Sequence, residues 1–176
     1  MKSATVFLVA LTVFTNLFLE SSTAAAVDST TSEGTIEVDI SVMRFIDGAM
    51  KFSEMIVASC VQDTANALVT ATGDTKESLA QAKIFFENLL DLGIELHYKM
   101  LSVLANGSIK PIEKVTDDVS QAIVMERAKW SDISEILAEL VELKVDLDEK
   151  MRVNFANADV IEVTLEEVLS KNTSVA

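Results

Sequence analysis

The stretch Thr75–Ala105, TKESLAQAKIFFENLLDLGIELHYKMLSVLA, decides the fold. Leu79, Ala82, Phe86, Leu89, Leu90, Gly93, His97, Met100, Leu101 and Leu104 recur every three or four residues, while Lys83, Glu87, Asp91 and Glu95 mark the opposite side. That period places one set on a single helical face and the other in water. A helix this long with one apolar face needs partner helices to cover it, so the stretch predicts a bundle.

Both ends of the stretch carry punctuation. Upstream, Ala71-Thr72-Gly73-Asp74-Thr75 closes a preceding helix with a glycine and offers Asp74 with Glu77, or Thr75 with Ser78, as a capping pair. Downstream, Asn106-Gly107-Ser108-Ile109-Lys110-Pro111 ends the helix and starts a third. Pro111, the chain's only proline, fits the first turn of that third helix, where its missing amide hydrogen costs nothing.

Outward from this hairpin, the preceding helix is expected from about Thr35 to Ala71. Arg44, Asp47, Lys51, Glu54, Gln62 and Asn66 form one polar stripe on it. Val42, Met43, Phe45, Ile46, Ala49, Met50, Ile56, Val57, Val61 and Leu68 cover more than the single face a surface helix buries, so this helix is read as central or as covering something else. On the other side, Ile112, Val115, Val119, Ala122 and Ile123 pattern the third helix, with a bend or register shift expected around Trp130-Ser131-Asp132, where Asp132 and Glu135 have capping-box spacing. A fourth helix runs through Ile133, Ile136, Leu137, Leu140, Leu143, Leu147, Met151 and Phe155. Asn157-Ala158-Asp159 reads as its break, and Thr164 with Glu167 as the cap of a short fifth helix ending near Ser170, followed by a disordered tail over 172–176.

The fold class expected is therefore all-α, a secreted antiparallel bundle of four to five helices over a single domain at 35–171. One local pattern competes with it. Thr35–Val42, TIEVDISV, alternates polar and apolar residues, and Val160–Leu165, VIEVTL, partly echoes it, which is the pattern of a short β-ribbon joining the chain ends.

The N-terminus bears on compartment. Lys2, the apolar run Ala4–Leu19 and the small residues Ala24-Ala25-Ala26 read as a secretory signal peptide over 1–26, followed by a flexible leader over 27–34. The run is shorter than the roughly 20 residues of a spanning helix, so no transmembrane anchor is expected after cleavage, and the destination is extracellular. Asn106-Gly107-Ser108 and Asn172-Thr173-Ser174 are then acceptor patterns for N-glycosylation at Asn106 and Asn172.

Composition excludes several functions. The chain has 14 basic and 28 acidic residues, a net charge of −14, which repels phosphate and argues against nucleic acid. Its single cysteine, Cys60, permits no intrachain disulfide, and reads either as a buried small hydrophobe or as one half of an intermolecular disulfide in a homodimer. The acidic runs Asp117-Asp118 and Asp146-Leu147-Asp148-Glu149 lack the spaced oxygens and central glycine of a calcium loop, so no metal is expected. His97, the only histidine, has no companion motif for a metal site or a catalytic triad, and no nucleophile–base pair or phosphate loop emerges elsewhere. Neither an enzyme nor a cofactor is expected. His97 reads as a buried, hydrogen-bonded side chain, with a polar handle in an apolar pocket or a switch responding to pH below 7 as the sharper alternatives.

What remains is excess apolar surface. Met43, Met50, Met55 and Met100 with Phe45, Phe52, Phe85 and Phe86 make the first two helices wide, soft and apolar. The expectation is a binding protein holding an apolar small molecule or lipid between these helices, lined by Met50, Phe52, Phe86, His97 and Met100. The alternative is a secreted protein-interaction module, an effector, inhibitor or self-associating protein, using the same surface against a protein partner.

Overall fold

The computed structural model describes residues 34–173. The expected signal peptide over 1–26, nearly all of the expected leader over 27–34 and residues 174–176 lie outside them. The described chain is four helices, α1 (Ile40–Leu68), α2 (Gly73–Asn106), α3 (Ile109–Ile136) and α4 (Val141–Thr173). At 1.5 Å per residue each is roughly 40–50 Å long. α1 packs against α2, α2 against α3, α3 against α4, and α4 back against α1, whereas α1 and α3, like α2 and α4, make no close backbone approach. Successive helices joined by two to four residues must run antiparallel, and the result is an up-and-down bundle.

The helices start and stop for local reasons. Asp39 caps α1, its carboxylate accepting the Ser41 amide at 2.8 Å. α2 begins at Gly73 with Thr72 before it and no side-chain cap, so neither capping pair expected at Asp74 or Thr75 fixes its start. α2 ends on Gly107, whose φ of 64° is left-handed and whose amide donates to Val103 O at 3.1 Å and Leu104 O at 3.2 Å. A glycine is required there twice over. Any Cβ would meet the Ile36 carbonyl oxygen at 2.2 Å, because residues 34–36 lie across the hinge: the Ile36 amide donates to Gly107 O at 2.6 Å and the Ile109 amide to Gly34 O at 3.0 Å. Pro111 falls in the first turn of α3, as the sequence predicts.

Three sequence expectations fail, each for a tertiary reason. The β-ribbon does not form: Val160–Leu165 are helical within α4, and the extended residues before α1 bridge instead to Ser108 through Thr35. The helix does not break at Trp130, which stays within α3 and buries its ring against the α2 phenylalanines, 5.8 Å from Phe85 and 5.4 Å from Phe86 by centroid. The reversal comes at Leu137–Leu140 without glycine or proline, through short-range bonds from Leu137 to Ser134 at 3.3 Å and from Leu140 to Leu137 at 2.9 Å, around a fully buried Leu137. Finally, Asn157-Ala158-Asp159 does not break α4. Asn157 donates to Ala49 O and Ser53 Oγ of α1, both at 2.8 Å, and Asp159 pairs with Arg127 of α3 at 2.6 Å. These polar residues tie helices together, and there is no fifth helix among the described residues.

The interior is two clusters. The one nearest the Gly107 hinge gathers Ile46, Met100, Leu104, Ile112, Val115 and Leu165 around Ile36. The other, towards the opposite loops, gathers Cys60, Leu79, Phe86, Trp130, Leu147 and Met151. Replacing Gly107 with alanine is expected to destabilise the fold by more than the ~1–2 kcal/mol of left-handed backbone strain alone, since the Ile36 carbonyl must also move. Thermal or urea unfolding of Gly107→Ala beside Gly48→Ala, whose Cβ meets open space, checks this: the second should lose nothing.

Candidate functional site

Between the two clusters lies a layer that apolar packing does not fill. α2 brings Gly93 to it, and a Cβ on Gly93 would meet nothing within 4 Å. α3 contributes Ala122 and α4 contributes Ala158, so three of the residues at this level are small. The outcome is a half-enclosed, mainly apolar cleft of about 90 Å³ lined by all four helices. Met50 and Val57 come from α1, Leu89, Leu90, Leu96 and Met100 from α2, Val119 and Ile123 from α3, and Phe155 and Ile161 from α4.

Four polar residues also line it: Ser53, Glu54, Glu126 and Asn154. Glu126 is buried, with 8% of its side chain exposed, and accepts Lys129 Nζ at 2.6 Å from one turn along α3. Asn154 is 6% exposed, and its Oδ1 is the one buried side-chain polar atom among the described residues without a hydrogen-bond partner. Glu54 accepts His97 Nδ1 at 2.6 Å.

His97 stands beside the cleft and not on its wall. Its buried ring bridges α2 to α1, with Nδ1 on Glu54 and Nε2 on Asp47 Oδ1 at 3.0 Å. A ring with an acceptor at each nitrogen donates to both only when doubly protonated; otherwise one nitrogen turns a lone pair on a carboxylate. Asp47 feels opposing effects. Burial pushes its carboxyl up, yet hydrogen bonds from Lys51 and His97, with the charges of both, hold it below the ordinary carboxylate range.

The residues expected as pocket lining therefore divide. Met50 and Met100 line the cleft; Phe86 is fully buried in the second cluster, Phe52 is half-buried on α1 outside the cleft, and His97 reaches it only through Glu54. The sequence reading missed Glu126 and Asn154 altogether. Both fall at core spacing, Glu126 three residues after Ile123 and Asn154 three after Met151, and a polar residue on an apolar face was the available signal. Cys60 is fully buried in the second cluster, and desolvation pushes its thiol up to about 12. Asn106 is exposed at the last residue of α2, and the backbone of Asn172 lies in the last turn of α4.

Among the described residues, no group of three or more His, Cys, Asp and Glu is arranged to hold a metal ion, and no helix is long and apolar enough to cross a membrane. No protein-family model, characterised protein or solved structure matches the chain.

Two outcomes are expected here. A carboxylate held below its ordinary range contributes stability above that range and loses it as pH falls, so the Asp47 contribution should disappear below about pH 4. Melting curves of Asp47→Asn should lie below the parent at pH 7 and approach it progressively as the pH falls below the ordinary carboxylate range. Cys60 should resist a thiol reagent at pH 8 in the native protein and react once the chain is unfolded in guanidinium, because the reactive thiolate is suppressed and enclosed.

Proposed function

We propose that this chain is a secreted, non-enzymatic binding protein that holds a small apolar molecule, or the apolar end of a longer one, in the cleft enclosed by its four helices. The observation that carries the reading is the gap between the two core clusters. Natural interiors are close-packed, with few voids larger than a water molecule. Here a run of small side chains instead keeps about 90 Å³ open beside flexible Met50 and Met100. Methionine side chains adapt to irregular occupants. The volume lies under the ~300 Å³ at which drug-sized pockets begin, so the occupant is a few heavy atoms, and a lipid would enter by its tail end only. Secretion rests on the signal-peptide pattern of residues 1–26, and that route presents the acceptor patterns at Asn106 and Asn172 to a glycosylating compartment.

A second reading has its own support. On the first two helices, Tyr98 is 72% exposed and Met55 56% exposed. Exposed apolar side chains of this size suit a protein-interaction module whose partner, or second copy, covers them. Light scattering of the purified chain addresses it: a stable dimer favours the interaction module.

For the cleft, the expected outcome is a saturable change in the ¹³C-methyl resonances of Met50 and Met100 when the protein is equilibrated with xenon or isobutanol. Gly93→Leu, which sends a side chain into the open space, should remove that response while leaving the helical circular dichroism intact. Unperturbed methyl resonances in the parent protein would overturn the reading.

A further inference from the structure

The cleft's few polar groups are acidic or neutral. No lysine, arginine or histidine lines it, and its polar groups are carboxylates at Glu54 and Glu126, the Asn154 amide and the Ser53 hydroxyl, which itself accepts from Asn157. Glu54 already receives His97. One buried acceptor, Asn154 Oδ1, is left without a partner. An unpartnered buried acceptor costs about 1–3 kcal/mol, and leucine in place of Asn154 would fill similar space without that cost. Glu126 has a partner, but an exposed one: its carboxylate is drawn into the bundle, with 8% of its side chain exposed, while Lys129, which donates to it, stays more than half exposed.

We propose that the cleft takes a small primary amine, its hydrocarbon part among Met50, Met100 and Ile123 and its ammonium donating to Asn154 Oδ1 and the Glu126 carboxylate. This rests on the apolar-cleft reading above and names the occupant's polar end. An ammonium brings three donors to a wall whose charged groups are both carboxylates. It satisfies the orphaned oxygen and supplies a second positive charge to a buried carboxylate, which a neutral alcohol does not. A carboxylate head, as in a fatty acid, meets like charge and no donor cation, so the wall selects against it. The chain's net charge of −14 adds a general attraction for cations and against anions.

The test uses three probes with one carbon skeleton, isobutylamine, isobutanol and isobutyrate, titrated into the full secreted chain at pH 7 and 0.15 M salt, with the Met50 and Met100 methyl resonances as the readout. Methylamine serves as a control for attraction to the acidic surface. Isobutylamine should bind at least tenfold more tightly than isobutanol, and isobutyrate and methylamine should leave the methyls unmoved. Glu126→Gln keeps the shape and removes the charge, and should bring isobutylamine down to the affinity of isobutanol without changing the response to xenon. Asn154→Leu should weaken isobutylamine about tenfold and raise the melting temperature of the ligand-free protein. If isobutanol and xenon move the methyls but isobutylamine binds no more tightly than isobutanol, or keeps its affinity in both variants, the amine proposal fails and the apolar cleft stands. If no probe moves either methyl, the cleft reading itself fails.

Discussion

The ring of His97, held between Asp47 and Glu54, sets how α1 lies along α2. The two carboxylates are seven residues apart, two turns on the same side of α1, so one imidazole reaches both at a single register. A slip of one helical turn would strand the ring and Glu54, while Asp47 would keep only Lys51 of its own helix. Apolar faces alone define register loosely, because leucine and methionine pack tolerably at several offsets, whereas a buried polar contact has one solution. The remaining seams repeat the device. Lys99 reaches Asp118 from α2 to α3, Arg127 meets Asp159 from α3 to α4, and Lys150 joins α4 to Asp63 of α1 while also pairing with Asp146 on its own helix. Pairs this open to solvent, from about a quarter to a half exposed, add little stability. They order the helices around the ring of contacts.

Fixing the register at mid-height has a cost in packing. Polar side chains from α1, α3 and α4 occupy the same level, and the apolar clusters close above and below them without meeting. The cleft follows from that arrangement. Its walls are the inner ends of the two clusters, Met50, Met100 and Ile123 from one and Val57 with Phe155 from the other. Glu54 belongs to both features, since it anchors the histidine and faces the cavity. A group bound there therefore sits one residue from the contact that aligns α1 with α2.

The end of the bundle at Gly107 is built differently. Residues 34–36 cross the two-residue hinge between α2 and α3 and place Ile36 into the first core cluster. The segment whose alternation reads as a strand does pair, through a single bridge at Thr35, but its partner is the hinge and not the C-terminal helix. The Asn106-Gly107-Ser108 stretch thus combines an exposed asparagine with a glycine that no other residue can replace at that separation from the Ile36 carbonyl.

The sequence by itself determined that the chain is helical, that α1 and α2 meet near Gly73, that Gly107 and Pro111 turn α2 into α3, and that Leu79, Ala82, Phe86, His97, Met100 and Leu104 face inward. Those properties depend on periodicity and backbone chemistry within a few residues, which any single helix carries in its own string. It misjudged Trp130, Asn157 and Asp159, because a large or polar residue interrupts a pattern equally whether it ends a helix or reaches across to another one. It could not locate the reversal at Leu137–Leu140, where a buried leucine takes the place of glycine or proline. Only the tertiary structure decided that Asp47 and Glu54 share one histidine, and that Glu126 and Asn154 line a common cleft. Each lies on a different helix from its counterpart, or two turns away on the same one, and distance in the chain holds no record of which faces are pressed together.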